Sequence, residues 1–276
     1  MSKGMKKDSE KDSNIILVPQ FEELKNAIKR LRAEIPLLLQ ERDELLYVLC
    51  KNLEMEYMLK VGALECQAFK EECEYLRLKR KAELVQAYIN RREKPDINEI
   101  NLVLEREFEE YQIKLNLQYE KLEMMIERSK REFLSEKENR ELKKLYYRIV
   151  KALHPDLNPE ISEREKVLFL QAVEAYENGD LVRIRVISEA VADPKEIIEA
   201  NTSLELNKEK NRLEKLIKTI HEDIAEIKGR FPYNIKEKIF DEDWVNQRRA
   251  ELQDAIDSYK AAAEIYIDRI RELTGE

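Results

Sequence analysis

Glycine and proline are scarce, with 5 Gly and 7 Pro among 276 residues. Strands joined by tight turns need these residues at short intervals, so a β-rich fold is excluded. Cysteine and histidine are scarcer still, at 3 and 2. Cys50, Cys66 and Cys73 form no C-x-x-C pair, and the spacing of Cys66 and Cys73 puts both on one helix face as small hydrophobes. With only His154 and His221 beside them, the chain offers no zinc-ligand pattern. An odd, unpatterned cysteine count points to a reducing compartment. No apolar run approaches the roughly 20 residues of a membrane span. The short run Ile15-Ile-Leu-Val18 cannot serve as the apolar core of a signal peptide. A soluble, cytoplasmic chain with no membrane partner is therefore expected. There is no glycine-rich phosphate loop and no nucleophile paired with a base, so neither a catalytic residue nor a cofactor or metal is expected. The formal charge of −8 disfavours nucleic acid as a partner.

What is present is charge, at 39% of residues, interleaved with hydrophobic residues at 43%. Such a mixture at helical spacing describes long helices with solvated faces. After a polar segment over residues 1–14, read as a disordered tail, the line Phe21, Leu24, Ile28, Leu31, Ile35 and Leu38 advances by alternating threes and fours. This is the seam of a helix lying along a partner, with Pro36 expected to kink or restart it. The pattern continues through Leu45, Leu49 and Leu53 toward Tyr88 and breaks at Glu93-Lys-Pro-Asp-Ile97. Asp96 and Glu99 have capping-box spacing and start a helix near Ile97. If continuous to about residue 134, that helix is roughly 57 Å long at 1.5 Å per residue. Its stripe needs antiparallel helices, or another chain, to cover it.

Further capping-box spacings occur at Ser135/Glu138 and Ser162/Glu165, and Gly179 is placed to end a helix in the left-handed region. Asp180 can cap the next short helix, and Asp193-Pro194 marks another start. The final pattern is the most regular: Val245, Arg249, Leu252, Ile256, Tyr259, Ala263, Tyr266, Ile270 and Leu273. Joined to Leu213, Leu216 or Ile217, Ile220, Ile224 and Ile227 through Gly229-Arg-Phe-Pro-Tyr233, it predicts an antiparallel coiled-coil hairpin over 193–276. The seam can close within one chain or pair two copies as a homodimer.

The stretch with most chemical content is His154-Pro155-Asp156. It follows the amphipathic segment Glu141–Leu153, whose cations are Lys143, Lys144, Arg148 and Lys151, and whose inward line is Leu142, Leu145, Ile149 and Leu153. Leu157-Asn-Pro-Glu-Ile161 comes next, then a helix carrying Phe169, Ala172, Ala175 and Tyr176. Pro155 cannot continue a helix and biases His154 out of helical geometry, so the chain turns there and presents Asp156 as an acceptor beside a row of cations.

Over residues of about 136 to 187 this arrangement resembles the J-domain, the module with which DnaJ-type co-chaperones stimulate DnaK-type heat-shock ATPases. The resemblance implies that His154, Pro155 and Asp156 engage the ATPase domain, with Asp156 meeting an arginine there. It further implies that Lys143, Lys144, Arg148 and Lys151 steer the encounter. The family's opening helix, with its Asp-Tyr-Tyr and Leu-Gly signature, has no counterpart. Either the segment from Leu122 to Phe133 takes its place or the module is truncated. The family's Gly/Phe-rich linker and cysteine-rich zinc module are also absent from this sequence.

The expectation is therefore an all-α chain. Residues 15–134 would form a long helical hairpin, 135–192 the J-like helix pair, and 193–276 the antiparallel coiled coil. Function would lie in binding, with the arms selecting a client protein or complex for a DnaK-type chaperone. The rival reading is a coiled-coil scaffold or adaptor in which the J-like segment is a structural junction or an inactive module that binds the ATPase without stimulating it.

Overall fold

The computed structural model describes residues 19–131, 134–191 and 202–275. Everything regular among them is helical, and no strand occurs. The helices are α1 (Pro19–Asp43), α2 (Cys50–Tyr57), α3 (Ala63–Asn90), α4 (Ile97–Glu107), α5 (Glu109–Ser129), α6 (Glu136–Leu153), α7 (Glu163–Glu177), α8 (Leu181–Ala190), α9 (Ser203–Gly229), α10 (Lys236–Ile239) and α11 (Glu242–Thr274). The all-α expectation holds. No helix among the described residues is long and apolar enough to cross a membrane. The tail over 1–14, the cap at Asp193-Pro194, and Phe133 lie outside the described residues.

The chain divides into two compact units, each assembled from two separate stretches. Unit one is Met1–Asp43 with Glu136–Ile224, and unit two is Glu44–Ser135 with Ala225–Glu276. These boundaries cut through the expected segments 15–134 and 193–276, after Asp43 and Ile224.

In unit one, α6, α7 and α8 pack against one another, and α1 lies on α6. The core takes Ile28, Ile35 and Leu39 from α1, and Leu142, Tyr146, Ile149, Val150 and Leu153 from α6. Phe169, Ala172, Ala175 and Tyr176 from α7 and Ile184 and Ile187 from α8 complete it. The Tyr146 and Tyr176 rings stack with centroids 4.0 Å apart. Helix α9 buries Leu206, Leu213 and Ile220, a seven-residue repeat like that of Ile28 and Ile35. Ion pairs Arg32–Glu209 (2.9 Å) and Arg42–Asp223 (3.8 Å) join α1 to α9 in ascending order along both helices, so the two run parallel.

In unit two, α3 lies antiparallel to α4 and α5. Arg80 on α3 reaches Glu107 at 2.8 Å, and Phe69 stacks on Tyr111. The expected single helix from Ile97 is divided, however. Phe108 leaves helical geometry at φ −105°, ψ 6°, and its ring contacts Tyr111 and the cluster of Val85, Ile100 and Leu104. Asp96 caps α4 through the N–H groups of Asn98 and Glu99. The Glu99 carboxylate, instead of closing a capping box, accepts from the Tyr88 hydroxyl.

The antiparallel hairpin expected at the C-terminal end is also revised. Val245, Leu252, Ile256 and Ala263 are buried at the predicted seam positions, but the helix beneath them is α3. Glu65 pairs with Arg248, Tyr75 contacts Tyr259 and Tyr266, and Leu273 packs on the cluster containing Val85. The order ascends on both helices, so this pair is parallel. A heptad line shows that a partner exists without naming it. Here the small residues Cys66, Ala68 and Ala82 on α3 admit a close neighbour. Pro36 leaves α1 unbroken. The irregular turns are instead two π-helical stretches, Glu44–Leu49 and Met58–Gly62.

Candidate functional site

The His-Pro-Asp loop sits at the end of α6 in unit one. Glu136 and Glu138 in the first turn and Lys151 in the last suit the helix dipole of α6. His154 N–H still donates to the Val150 carbonyl at 3.0 Å, after which Pro155 ends the helix. The turn closes on the His154 carbonyl, which accepts from Leu157 N–H at 3.1 Å and Asn158 N–H at 2.9 Å. The Asn158 amide donates to the Lys151 carbonyl at 3.0 Å, satisfying one of the orphan acceptors at the helix end. Leu157 is buried and anchors the far side of the turn.

Helix α7 then opens on a complete capping box. Glu165 N–H donates to Ser162 Oγ, and Ser162 N–H donates to the Glu165 carboxylate at 2.8 Å. It closes at Gly179, whose φ of 67° allows a Schellman turn with Asp180 N–H on the Ala175 carbonyl at 2.8 Å. Asp180 caps α8 through Arg183 N–H. Arg185 of α8 then reaches back to Glu141 of α6 with two bonds of 2.7 and 2.9 Å. The loop is thus fixed between two well-terminated helices.

Within the tripeptide the three side chains have different surroundings. His154 is only 4% exposed, its ring edge-on to Phe169 at 5.0 Å. Pro155 is half-buried, whereas the Asp156 side chain is 52% exposed. Among the cations, Lys144 and Arg148 are exposed and Lys151 half-buried, at spacings that share a face of α6. Lys143 lies one position off that line and is half-buried, and its carbonyl accepts from Gln40 of α1 at 2.8 Å. Arg148 also reaches the Val191 carbonyl at 3.5 Å. On the inward line, Leu145 is only half-buried, and Tyr146 and Val150 take the core positions.

Four residues that the motif does not contain complete the site. Arg42 of α1 places Nη2 at 3.2 Å from His154 Nε2 and at 2.8 Å from Asp43 Oδ1. Asp43 is 1% exposed, and its other oxygen accepts from the Tyr146 hydroxyl at 2.7 Å. Arg212 of α9 donates to the Asp156 carbonyl at 2.9 Å while its remaining nitrogens hold Glu209. Asp223 of α9 pairs with Arg42 from the other side. Helix α1 is the one that packs on α6, and of the segment from Leu122 to Phe133 the residues up to Ser129 belong to α5 in unit two.

Burial pushes the His154 pKa below its ordinary value of 6.5. The Arg42 cation acts in the same direction, against the Asp156 and Asp43 carboxylates. Both ring nitrogens face donors, Arg42 Nη2 at one and Asp156 N–H at 3.2 Å at the other. A neutral imidazole can accept one of these bonds and the imidazolium neither. Since the folded pKa is depressed, the unfolded chain takes up the proton first as pH falls. The group's contribution to stability is thus complete above pH 6.5 and is lost as pH falls through the folded pKa. An NMR titration of the His154 ring is expected to show a midpoint below 6.5, with thermal stability of unit one declining below that pH. A midpoint at or above 6.5 would contradict this environment.

In unit two an open groove of about 500 Å³ is lined by Tyr57, Glu65, Phe231 and Arg248 among others. Tyr57, Glu65 and Arg248 pair with one another there, whereas the Gln118 Oε1 in its lining is buried with no hydrogen-bond partner. Glu65 accepts from Tyr57 at 2.6 Å and from Arg248 at 3.1 Å, and burial together with Glu65 pushes the Tyr57 hydroxyl up to about 12. No cluster of three or more metal-ligating side chains occurs among the described residues.

No family model matches the chain, and no curated protein or solved structure matches it either.

Proposed function

We propose that the chain is a J-domain-type co-chaperone. Unit one docks on the ATPase domain of a DnaK-type chaperone and promotes its hydrolysis of ATP. The long paired helices, α1 with α9 and α3 with α11, select the client protein or complex that is delivered. On this reading the chain performs no chemistry itself and works in the cytoplasm, consistent with its three free cysteines.

The observation that carries the proposal is the contrast within the tripeptide. His154 is used up inside the fold, while the Asp156 carboxylate stands exposed on a loop braced at both ends, next to the cationic face of Lys144, Arg148 and Lys151. A carboxylate held in this way is ready to meet a partner's cation. A neighbouring row of cations accelerates encounter with an acidic surface more than it deepens affinity. The scaffold reading keeps one specific support: His154 packs on Phe169 and bonds Arg42 as an ordinary structural junction could.

The steering role is tested with the double variant Lys144→Glu, Arg148→Glu. Its association rate with an ATP-loaded DnaK-type chaperone is expected to fall by roughly tenfold or more at low salt, with a weaker salt dependence than wild type. Equal rates for the two proteins, or no binding by wild type, would contradict the proposal.

A further inference from the structure

We infer that Arg212 and Arg42 are positioning residues that clamp the His-Pro-Asp loop from two helices outside the J-like segment, and so set the aim of the Asp156 carboxylate. The inference rests on the co-chaperone reading for its functional consequence, and on geometry alone for the clamp itself.

A loop between two helices has a free backbone, and its tip ordinarily bonds to water. Here the tip is held at both ends by guanidinium groups. Arg212 Nη1 donates to the Asp156 carbonyl at 2.9 Å, so the bond fixes the peptide plane from which the Asp156 side chain springs. Arg42 Nη2 meets His154 Nε2 at 3.2 Å, two residues earlier.

Each arginine is itself immobilised. Arg212 spreads Nε and Nη2 over Glu209 at 2.8 and 3.1 Å, and Glu209 is tied in turn to Arg32 of α1 at 2.9 Å. Arg42 is held by Asp43 at 2.8 Å and by Asp223 of α9 at 3.8 Å. Both clamps therefore bridge α1 and α9, and the parallel pairing of those helices brings the two to the same loop. The planar guanidinium fork matters in this role, because it can hold a carboxylate and a carbonyl at once, which a lysine ammonium does less rigidly. The Arg212 cation also lies close enough to the Asp156 carboxylate for the two charges to attract.

The decisive experiment is site-resolved amide hydrogen exchange on the full chain as wild type, Arg212→Met and Arg212→Lys. The reporters are Leu157 and Asn158, whose N–H groups bond to the His154 carbonyl, with Ile149 and Ala172 in the flanking helices as references. In Arg212→Met the two loop amides are expected to exchange about tenfold faster, the loss of roughly one charge-assisted hydrogen bond, while the reference amides keep their rates. Arg212→Lys is expected to fall between. Unchanged loop exchange in both variants would overturn the clamp.

A second readout is single-turnover ATP hydrolysis by a DnaK-type chaperone. The maximal stimulated rate is expected to fall several-fold in Arg212→Met. Stimulation equal to wild type would overturn the functional consequence. Absence of stimulation by wild type would instead sink the co-chaperone reading, and the exchange rates would still decide the clamp.

Discussion

Asp156→Asn is expected to reduce stimulation of a DnaK-type ATPase on the order of a hundredfold while leaving the fold intact. The side chain is 52% exposed and has about the same size as its replacement, so stability should change by no more than ~0.5 kcal/mol. The turn does not depend on the carboxylate either. Its bonds run through the His154 carbonyl, the Asn158 amide and the Asp156 carbonyl, all of which the variant retains. What disappears is the negative charge offered to a partner's cation. Removing one side of a hydrogen-bonded charge pair at an interface costs about 2–5 kcal/mol, and a hundredfold loss lies at the lower end of that range. The measurement is the single-turnover rate against chain concentration, with circular dichroism to verify helicity. Undiminished stimulation would show that Asp156 is not the contact proposed for it.

The largest loss of stability is expected from Asp43→Ala. This carboxylate is 1% exposed, and it serves three bonds at once, two from Arg42 and one from Tyr146. A buried ion pair is weak evidence for stability as a pair, but removal of one partner leaves the other charge and its donors stranded. Here Arg42 retains Asp223 at 3.8 Å, and the buried Tyr146 hydroxyl loses the bond it donates to Asp43. A loss of about 3 kcal/mol is expected, at the low end for a broken buried pair because Arg42 is not wholly orphaned. Asp43→Asn, whose amide oxygen can still accept from Arg42 while its amide nitrogen donates to the Tyr146 oxygen, should lose about half as much. The only tryptophan, Trp244, lies in unit two, so unit one should be followed through the His154 ring signal in a denaturant titration. An unchanged midpoint for Asp43→Ala would mean that this network does not support unit one.

Much of this architecture was written locally. Asp96, Ser162 and Asp180 act as helix caps, and Gly179 adopts the left-handed turn, because these signals depend on a few adjacent residues. The seam positions Val245, Leu252, Ile256 and Ala263 were equally legible, since burial at steps of three and four follows from helix geometry alone. One local signal went unread: Thr202 and Glu205 make a reciprocal cap at the start of α9.

The identity of the partners was not legible. Periodicity states that α9 and α11 need covering, and the short turn between them suggested that each covers the other. In the fold α9 lends its seam to unit one and α11 to unit two, each in a parallel pairing between segments far apart in sequence. The break at Phe108 was hidden for a similar reason, because nothing in the helical pattern tells which turn will yield to packing against Tyr111 and Leu104.

The site was half legible. The tripeptide and its cationic helix could be located by residue, but Arg42, Asp43, Arg212 and Asp223 come from helices remote in sequence. A faint signal was available at Asp43, which stands four residues after Leu39 on the buried line of α1, where an apolar residue is the rule. A charge at a seam position announces a buried partner, here Arg42 and Tyr146, without saying that the His-Pro-Asp loop lies beyond it.

The central claim, that this chain switches a DnaK-type ATPase through Asp156, is tested most directly by single-turnover ATP hydrolysis. A purified DnaK-type chaperone is loaded with ATP and followed alone, with the wild-type chain, and with Asp156→Asn. The account predicts a faster rate with wild type and the unstimulated rate with the variant. The same unstimulated rate in all three, with normal helicity, would contradict it.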